Sequence, residues 1–176
     1  AASEVSTRQL LDDWLHARGL TAPTTAQREQ IERQCAARDG QLPCIRWSGT
    51  EVHIWRGRLW ALPPQRPIDA QWHATWRGEP LALPDGGSLT LDPAGELSSP
   101  VTVRLRRGGE QLRPDGDPHT RELRDLFQQG GMPPWRRLAC PLLWLGDELV
   151  GVGDRWLSAR GKSLFSPARP LWQPAC

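Results

Sequence analysis

Apolar side chains recur at helical spacing in the amino-terminal part of the chain, and the pattern predicts two amphipathic helices. The first helix begins with a capping box formed by Ser6 and Gln9 and ends at Gly19. Its apolar face consists of Leu10, Leu11, Trp14 and Leu15. The second helix opens at Thr24 and is closed by Gly40. Its candidates for burial are Ile31 and Cys35.

The period of the pattern then changes from helix to strand. Short apolar runs around Ile45, Val52 and Leu59 are separated by the turn dipeptides Ser48-Gly49 and Arg56-Gly57. These turns predict a three-stranded antiparallel meander. Two helices packed on such a sheet form a small α+β unit, and a proline-rich stretch follows it.

Alternating apolar pairs continue beyond the proline-rich stretch and predict the strands of a small sheet or sandwich. The pairs lie at Trp72 and Trp76, Leu81 and Leu83, Leu89 and Leu91, and Val101 and Val103. One helix is predicted after them, with Asp117 as its cap and Pro118 in its first turn. The apolar face of this helix consists of Leu123, Leu126 and Phe127.

The carboxy-terminal part of the chain contains a second hairpin signal. Gly146-Asp147 separates two apolar runs at 142–145 and 149–152, and Trp156-Leu157 suggests one more strand. Residues 161–176 carry three prolines, so we expect a loosely held tail there.

These patterns together predict an α+β fold of two small domains. The first, residues 1–62, is a two-helix unit with an antiparallel sheet, and residues 63–67 form a Pro-rich linker. The second, residues 68–176, is a small β-sandwich-like domain with one main helix. With 38% hydrophobic and 24% charged residues, the chain has enough apolar material to fold.

The identity of the cations is more informative than the formal net charge of +2. Of the 22 basic residues, Lys162 is the only lysine, and the rest are arginines. The planar guanidinium binds phosphate in a bidentate manner and stacks on bases, which fits a nucleic-acid partner. A GC-rich genome produces the same bias through codon usage, so composition leaves both explanations open.

Other features exclude several classes of protein. The four cysteines lack the C-x-x-C spacing of a zinc site, so we expect no metal and reduced thiols. No apolar segment approaches the roughly 20 residues that span a bilayer. We therefore expect a soluble, cytoplasmic protein without a membrane partner. Phosphate-binding loops and H-E-x-x-H or G-x-S-x-G motifs are also missing, so we expect no catalytic residue.

One segment is richer in charge than the rest. Residues 104–137 contain eight arginines and five acids, a net charge of 8 − 5 = +3. If Arg121 and Arg124 lie on the predicted helix, they share a face and reach outward together. A solvated charged surface explains such a run equally well.

The same region carries a recognisable order of motifs. They are Arg106-Arg107-Gly108-Gly109-Glu110, RELRDLF at 121–127, MPPWRR at 132–137, PLLW at 141–144 and the hairpin segment 146–152. This order resembles the carboxy-terminal domain of tRNA(Ile)-lysidine synthase. Arg137 departs from the family pattern because a leucine is usual there, and arginines replace the lysines common on the helix.

The first unit resembles the middle, substrate-recognition domain of the same family. The matching segments are LDDWL at 11–15, AARDG at 36–40, Trp47 and RGRLW at 56–60. The two resemblances cover nearly the whole chain. Since Ala1 stands directly before a helix, we expect that the chain has been cut from a longer protein.

The resemblance implies that catalysis and tRNA binding lie in different domains of the protein. In this family an amino-terminal PP-loop domain uses ATP to adenylate the wobble cytidine of the isoleucine tRNA that reads AUA, and lysine then displaces AMP. The S-G-G-x-D-S signature of that domain is not found here. We therefore expect ATP and magnesium to bind in a missing amino-terminal domain. This chain would hold no cofactor, catalyse nothing alone and provide the tRNA-binding portion, with isoleucine tRNA and the catalytic domain as partners.

By family analogy, the carboxy-terminal domain contacts the tRNA acceptor-stem region. The predicted tRNA-binding residues are Arg107, Arg113, Arg121, Arg124 and Arg136. Gly108 and Gly109 fit a tight turn, although their backbone N–H groups could also bind phosphate. Trp135 fits a core anchor or a stacking surface. The alternative to tRNA binding is a protein-interaction module with an arginine-rich surface.

Overall fold

The computed structural model divides the chain into two compact units, Ala1–Arg66 and Pro67–Ala175. The division falls within the stretch 63–67, where the sequence predicts a linker. Each unit combines helices with antiparallel sheets, which confirms the predicted α+β class. The structure describes residues 7–36, 43–65 and 67–175.

The first unit has two helices and a three-stranded sheet. Its elements are α1 (Thr7–His16), α2 (Thr25–Ala36), β1 (Cys44–Trp47), β2 (Thr50–Trp55) and β3 (Arg58–Leu62). The strands pair antiparallel in the order β1-β2-β3, which confirms the predicted meander. At the start of α2, the Thr24 N–H donates to Gln27 Oε1 at 2.8 Å and the Gln27 N–H donates to Thr24 Oγ1 at 3.4 Å. This reciprocal pair is a capping box.

Among the described residues of the first unit, the buried apolar cluster consists of Leu15, Ile31, Ile45 and Val52. The predicted burial of Cys35 is wrong, because the last turn of α2 lies outside this cluster and leaves Cys35 exposed. The prediction for Leu10 is also wrong, since it is 57% exposed. Ser6 and Gly40, the predicted ends of the helical region, lie outside the described residues.

The second unit begins with strands. They are β4 (His73–Trp76), β5 (Leu81–Ala82), β6 (Ser88–Asp92), β7 (Val101–Arg104), β8 (Gln111–Leu112) and β9 (Arg121–Glu122). The remaining elements are α3 (Leu123–Gln129), α4 (Pro134–Arg137), β10 (Leu142–Leu145), β11 (Glu148–Val152), β12 (Trp156–Leu157), α5 (Ala159–Phe165) and β13 (Arg169–Gln173). The predicted hairpin and the strand at Trp156-Leu157 are confirmed.

These strands form a five-stranded sheet, β12-β11-β10-β7-β4, a three-stranded sheet, β13-β6-β5, and the β8-β9 ladder. Both larger sheets contribute to one buried cluster, which includes Leu89, Val103, Phe127, Leu142 and Trp172. A shared core of this kind fits the predicted sandwich-like arrangement. Among the described helices, none has the length and apolarity of a membrane span.

The predicted start of the helix at Asp117 is wrong. The chain from 117 to 122 instead closes the β8-β9 ladder, in which Leu112 pairs with Arg121 and Gln111 with Glu122. α3 therefore begins only at Leu123. Asp followed by Pro fits a turn as well as a helix start, and strand pairing decides between them here.

The predicted loose tail at 161–176 is also wrong for the described residues. Ser158 caps α5 by accepting a hydrogen bond from the Gly161 N–H at 3.1 Å. β13 then pairs with β6 over five residues, from Arg169 with Asp92 to Gln173 with Ser88. The sequence prediction of one main helix in the second unit is also incomplete, because α5 is a second helix as long as α3. Cys176 lies outside the described residues.

Gly161→Ala tests the seating of α5 on the sheet. A methyl group at Gly161 would overlap the main-chain carbonyl oxygen of Val150 on β11. We expect the free energy of unfolding to fall by about 1–3 kcal/mol, because such crowding outweighs the roughly 1 kcal/mol by which a helix favours alanine. Denaturant unfolding followed by tryptophan fluorescence measures the change.

Gly95→Ala is the matched control for that variant, since a methyl group there meets no atom within 4 Å. Its free energy of unfolding should stay near that of the wild type. Equal stability of Gly161→Ala and Gly95→Ala would show that α5 does not pack against β11 as described.

Candidate nucleic-acid interface

Asp117 organises two of the predicted arginines in the loop that joins β8 to β9. Arg121 donates from Nε to Asp117 Oδ2 at 3.0 Å and from Nη2 to Oδ1 at 3.4 Å. Arg113 donates from Nε to the main-chain oxygen of Asp117 at 3.1 Å. The His119 N–H also donates to the carboxylate, at 2.9 Å. The carboxylate of Asp117 thus holds Arg121, and its main-chain oxygen holds Arg113 at the same end of the ladder.

The electrostatics of Asp117 follow from these contacts. The hydrogen bond from Arg121, followed by the backbone hydrogen bond from His119, holds the pKa of the Asp117 carboxyl below its ordinary value. The same pair raises the pKa of Arg121. Asp117 therefore stays ionised at neutral pH and acts as an anchor, since a general acid would need a raised pKa.

The turn from Arg106 to Glu110 is closed by its own acid. The Glu110 carboxylate accepts hydrogen bonds from the backbone N–H groups of Arg107 and Gly108. It also lies 3.8 Å from Arg106 Nε. Gly108 and Gly109 have positive φ values of 109° and 80°, which suit glycine. Because Glu110 already binds the Gly108 N–H, this glycine serves the turn and its amide does not face an outside anion.

The turn is also tied to the start of α3. The main-chain oxygen of Glu110 accepts a hydrogen bond from the Leu123 N–H at 3.0 Å. Arg107 is exposed, and its Nε donates to the main-chain oxygen of Ala70 at 3.2 Å. The turn at 106–110, the β8-β9 ladder and the first turn of α3 thus form one connected module.

Arg124 lies on α3, whereas Arg121 lies on β9, so the expectation that both share one helical face is wrong. Arg124 is 67% exposed and forms surface ion pairs with Asp125 at 3.4 Å and Glu122 at 3.9 Å. Such pairs contribute little, which leaves this guanidinium able to exchange partners.

Arg136 lies on α4, a single turn that starts at Pro134. It is partly buried, as is its neighbour Trp135. Arg137 Nε donates to the main-chain oxygen of Met132 at 2.9 Å, so that side chain supports the turn. The five predicted residues therefore divide into three on or beside the ladder and α3 (Arg113, Arg121 and Arg124), one in the preceding turn (Arg107) and one on α4 (Arg136).

Two other arginines of the charged segment pack against aromatic rings. The Arg104 guanidinium lies 5.2 Å from the centroid of Trp144, and that of Arg106 lies 5.7 Å from the centroid of Phe127. Since Phe127 is fully buried, Arg106 covers the core with its guanidinium. The arginine-rich run is thus partly structural.

A groove of about 610 Å³ opens beside the ladder. It is lined on one side by Arg113, Asp115 and Asp117, and on the other by Glu148, Ser158 and Arg160. Its acids are paired: Asp115 with Lys162 at 2.7 Å, Asp117 with Arg121, and Glu148 with Arg160. Sequence patterns predicted a loose tail from residue 161 and no helix at Ala159–Phe165, so they did not place Arg160 and Lys162 at this groove.

Comparisons with known proteins match both units. A family model described as "TilS substrate binding domain" matches residues 1–60, and one described as "TilS substrate C-terminal domain" matches residues 101–171. The chain belongs to the tRNA(Ile)-lysidine synthase family. The resemblance stated from the motifs is therefore confirmed.

Curated members of the family align with most of this chain. A tRNA(Ile)-lysidine synthase of Methylococcus capsulatus is 38% identical over 163 residues, covering 86% of this chain and 37% of the relative. A second, from Xylella fastidiosa, is 43% identical over 136 residues, which cover 73% of this chain and 31% of the relative. A third, from Salmonella choleraesuis, is 33% identical over 169 residues, which cover 90% of this chain and 39% of the relative. The chain thus spans well under half the length of these relatives.

A solved structure titled "Crystal structure of TILS C-terminal domain" aligns with 60% of this chain and 99% of its own, at 19% identity and a TM-score of 0.45.

Arg121→Gln tests whether the ladder arginine controls Asp117. Removing the guanidinium should raise the pKa of the Asp117 carboxyl toward its ordinary value, about 3.9, and NMR titration of the carboxyl carbon measures the shift. In the wild type the pKa of Asp117 is lower in the folded chain than in the unfolded chain, so the ionised carboxylate stabilises the fold. This stabilisation is fully present at pH values above the ordinary pKa and is lost as the pH falls through the folded-state pKa. An unchanged titration curve in the variant would contradict the described pair.

Proposed function

We propose that this chain is the tRNA-binding portion of a tRNA(Ile)-lysidine synthase. It holds isoleucine tRNA while ATP, magnesium and lysine act in an amino-terminal catalytic domain. The observation that carries the proposal is the match of both units to successive substrate domains of one family. The parent enzyme ligates lysine to the wobble cytidine, and the present residues contribute to that reaction by binding.

Binding far from the reacting base has a physical purpose. The tRNA is a large, rigid ligand, so contacts at a distance can fix the wobble cytidine in a reactive position and lower the entropic part of the barrier. Folded RNA is recognised mainly by its shape and through its phosphates and 2′-hydroxyls. Arginines on a ladder and a helix suit that task, with Arg121 held by the Asp117 carboxylate and Arg113 by the Asp117 main-chain oxygen.

Exposure and pairing rank the predicted residues. Arg113, Arg124 and Arg107 are exposed, and Arg113 and Arg107 use Nε for their hydrogen bonds to main-chain oxygens. Arg124 forms only loose surface pairs, through Nε with Asp125 at 3.4 Å and through Nη2 with Glu122 at 3.9 Å. The terminal amino groups of these three arginines can therefore meet phosphate. Arg121 is more enclosed and gives both Nε and Nη2 to Asp117, so we assign it mainly to positioning the loop. Arg136 is partly buried, and we expect a smaller contribution from it.

The experiment is fluorescence-anisotropy binding of the chain to isoleucine tRNA and to an unrelated tRNA across a salt series. We expect affinity to fall steeply with salt. In Arg113→Ala combined with Arg124→Ala, the log–log slope should become shallower by roughly one to two, because each lost phosphate contact removes about one released counterion.

Arg169→Ala is the matched control, because Arg169 is 69% exposed and paired with Asp92 on β6, much as Arg124 is 67% exposed and paired. It lies on β13, in another sheet. If the slope of log affinity against log salt concentration is the same for the control and the double variant, the placement of RNA on the β8-β9-α3 surface is overturned. Failure to bind any tRNA at low salt would overturn the proposal for this chain and favour the protein-interaction alternative.

A further inference from the structure

The β1-β2 hairpin of the first unit presents two different faces. Ile45 and Val52 are cross-strand partners on the face that packs into the helical core. The opposite face carries two polar cross-strand pairs, Cys44 with His53 and Arg46 with Glu51. Glu51 is 5% exposed and His53 is 8% exposed, so two ionisable side chains are buried where an apolar row would be ordinary.

Three of these side chains converge on one point. His53 Nε2 lies 3.7 Å from Cys44 Sγ and 3.3 Å from Glu51 Oε2. All three ligand-type atoms lie within 4.8 Å of one another. Within the part of the chain that the structure describes, this is the one group of histidine, cysteine and acidic side chains close enough to share an ion.

The two separations that involve His53 Nε2 fit a tetrahedral metal site. Bond lengths near 2.0–2.1 Å to nitrogen and oxygen and 2.3 Å to sulfur place neighbouring ligand atoms about 3.4–3.6 Å apart at tetrahedral angles. The observed 3.7 Å and 3.3 Å lie close to that interval. A catalytic relay would have a different geometry, because the acid would contact the ring nitrogen that does not face the cysteine. Here both partners face Nε2.

We propose that Cys44, Glu51 and His53 form a zinc site in the first unit, with water as the fourth ligand. Thiolate and imidazole together select zinc over magnesium or calcium. A thiolate and a carboxylate carry two negative charges, which balance Zn²⁺. Arg46 Nε binds Glu51 Oε1 at 2.9 Å, so the two carboxylate oxygens have separate partners and Oε2 is directed at the cluster.

The site also has a structural purpose that does not depend on the tRNA proposal. Among the described residues, the buried apolar cluster of the first unit has four side chains, and small domains often gain stability from a disulfide or a metal. Ligands on two adjacent strands would hold the hairpin together. Zinc binding then adds to folding free energy, because the unfolded chain presents no such site.

Zn²⁺ titration of the metal-free chain by isothermal calorimetry tests the proposal. We expect one zinc per chain and a rise in the melting temperature on addition of zinc. Cys44→Ser should weaken binding by at least about tenfold, since even residues that only support a ligand cost that much. Co²⁺ should give a thiolate charge-transfer band that the variant lacks. Cys35→Ser, which changes the exposed cysteine of the same unit, is the control and should bind zinc like the wild type.

His53→Gln and Glu51→Gln should also lose zinc while keeping the wild-type circular dichroism spectrum. If either variant fails to fold, Cys44→Ser decides, because Cys44 is only partly buried and serine is nearly isosteric. A wild-type chain that binds no zinc overturns the proposal. Zinc binding that survives Cys44→Ser overturns it as well, since the metal would then lie elsewhere.

Discussion

Antiparallel register is the constraint on which most of this structure depends. When two strands pair across a short turn, residues at equal distances from the turn become neighbours, and alternate pairs face opposite sides of the sheet. In the first unit this places Ile45 and Val52 in the core and their neighbours in a polar cluster. In the second unit, the β8-β9 ladder brings Arg121 beside Leu112, next to Arg113. Both candidate sites arise from pairing between strands.

The core of the second unit is completed by its last residues. β13 pairs with β6, and Trp172 and Phe165 join the cluster that contains Trp76 and Phe127. The ring centroids of Trp76 and Phe165 lie 6.2 Å apart, within the usual range for aromatic pairs. Leu123 and Phe127 of α3 belong to the same cluster, so the helix that carries Arg124 and the carboxy-terminal segment share one core.

The sequence predicted features that local chemistry determines. Ser48-Gly49 and Gly146-Asp147 flanked by apolar runs led to the correct hairpins, and Thr24 with Gln27 led to a correct capping box. The failures involve long-range pairing. Pro167 and Pro170 suggested a loose end, yet Pro170 lies in β13 because a distant strand, β6, pairs with it. The cross-strand pairing of Cys44 with His53 could have been predicted from the sequence, since a two-residue turn at Ser48-Gly49 fixes that register.

In the proposed tRNA-binding role, the acids around the arginine surface would influence how it recognises RNA. Asp117 and Glu110 lower the net charge of the module, which weakens non-specific attraction to any polyanion. They also fix the direction of the guanidinium groups or of the backbone that carries them, so less side-chain entropy is lost when a phosphate binds. A surface of this kind would bind phosphates in one particular arrangement more tightly than it binds other polyanions. For the proposed binding of one folded tRNA, a fixed orientation of these groups is therefore of more use than a large positive charge.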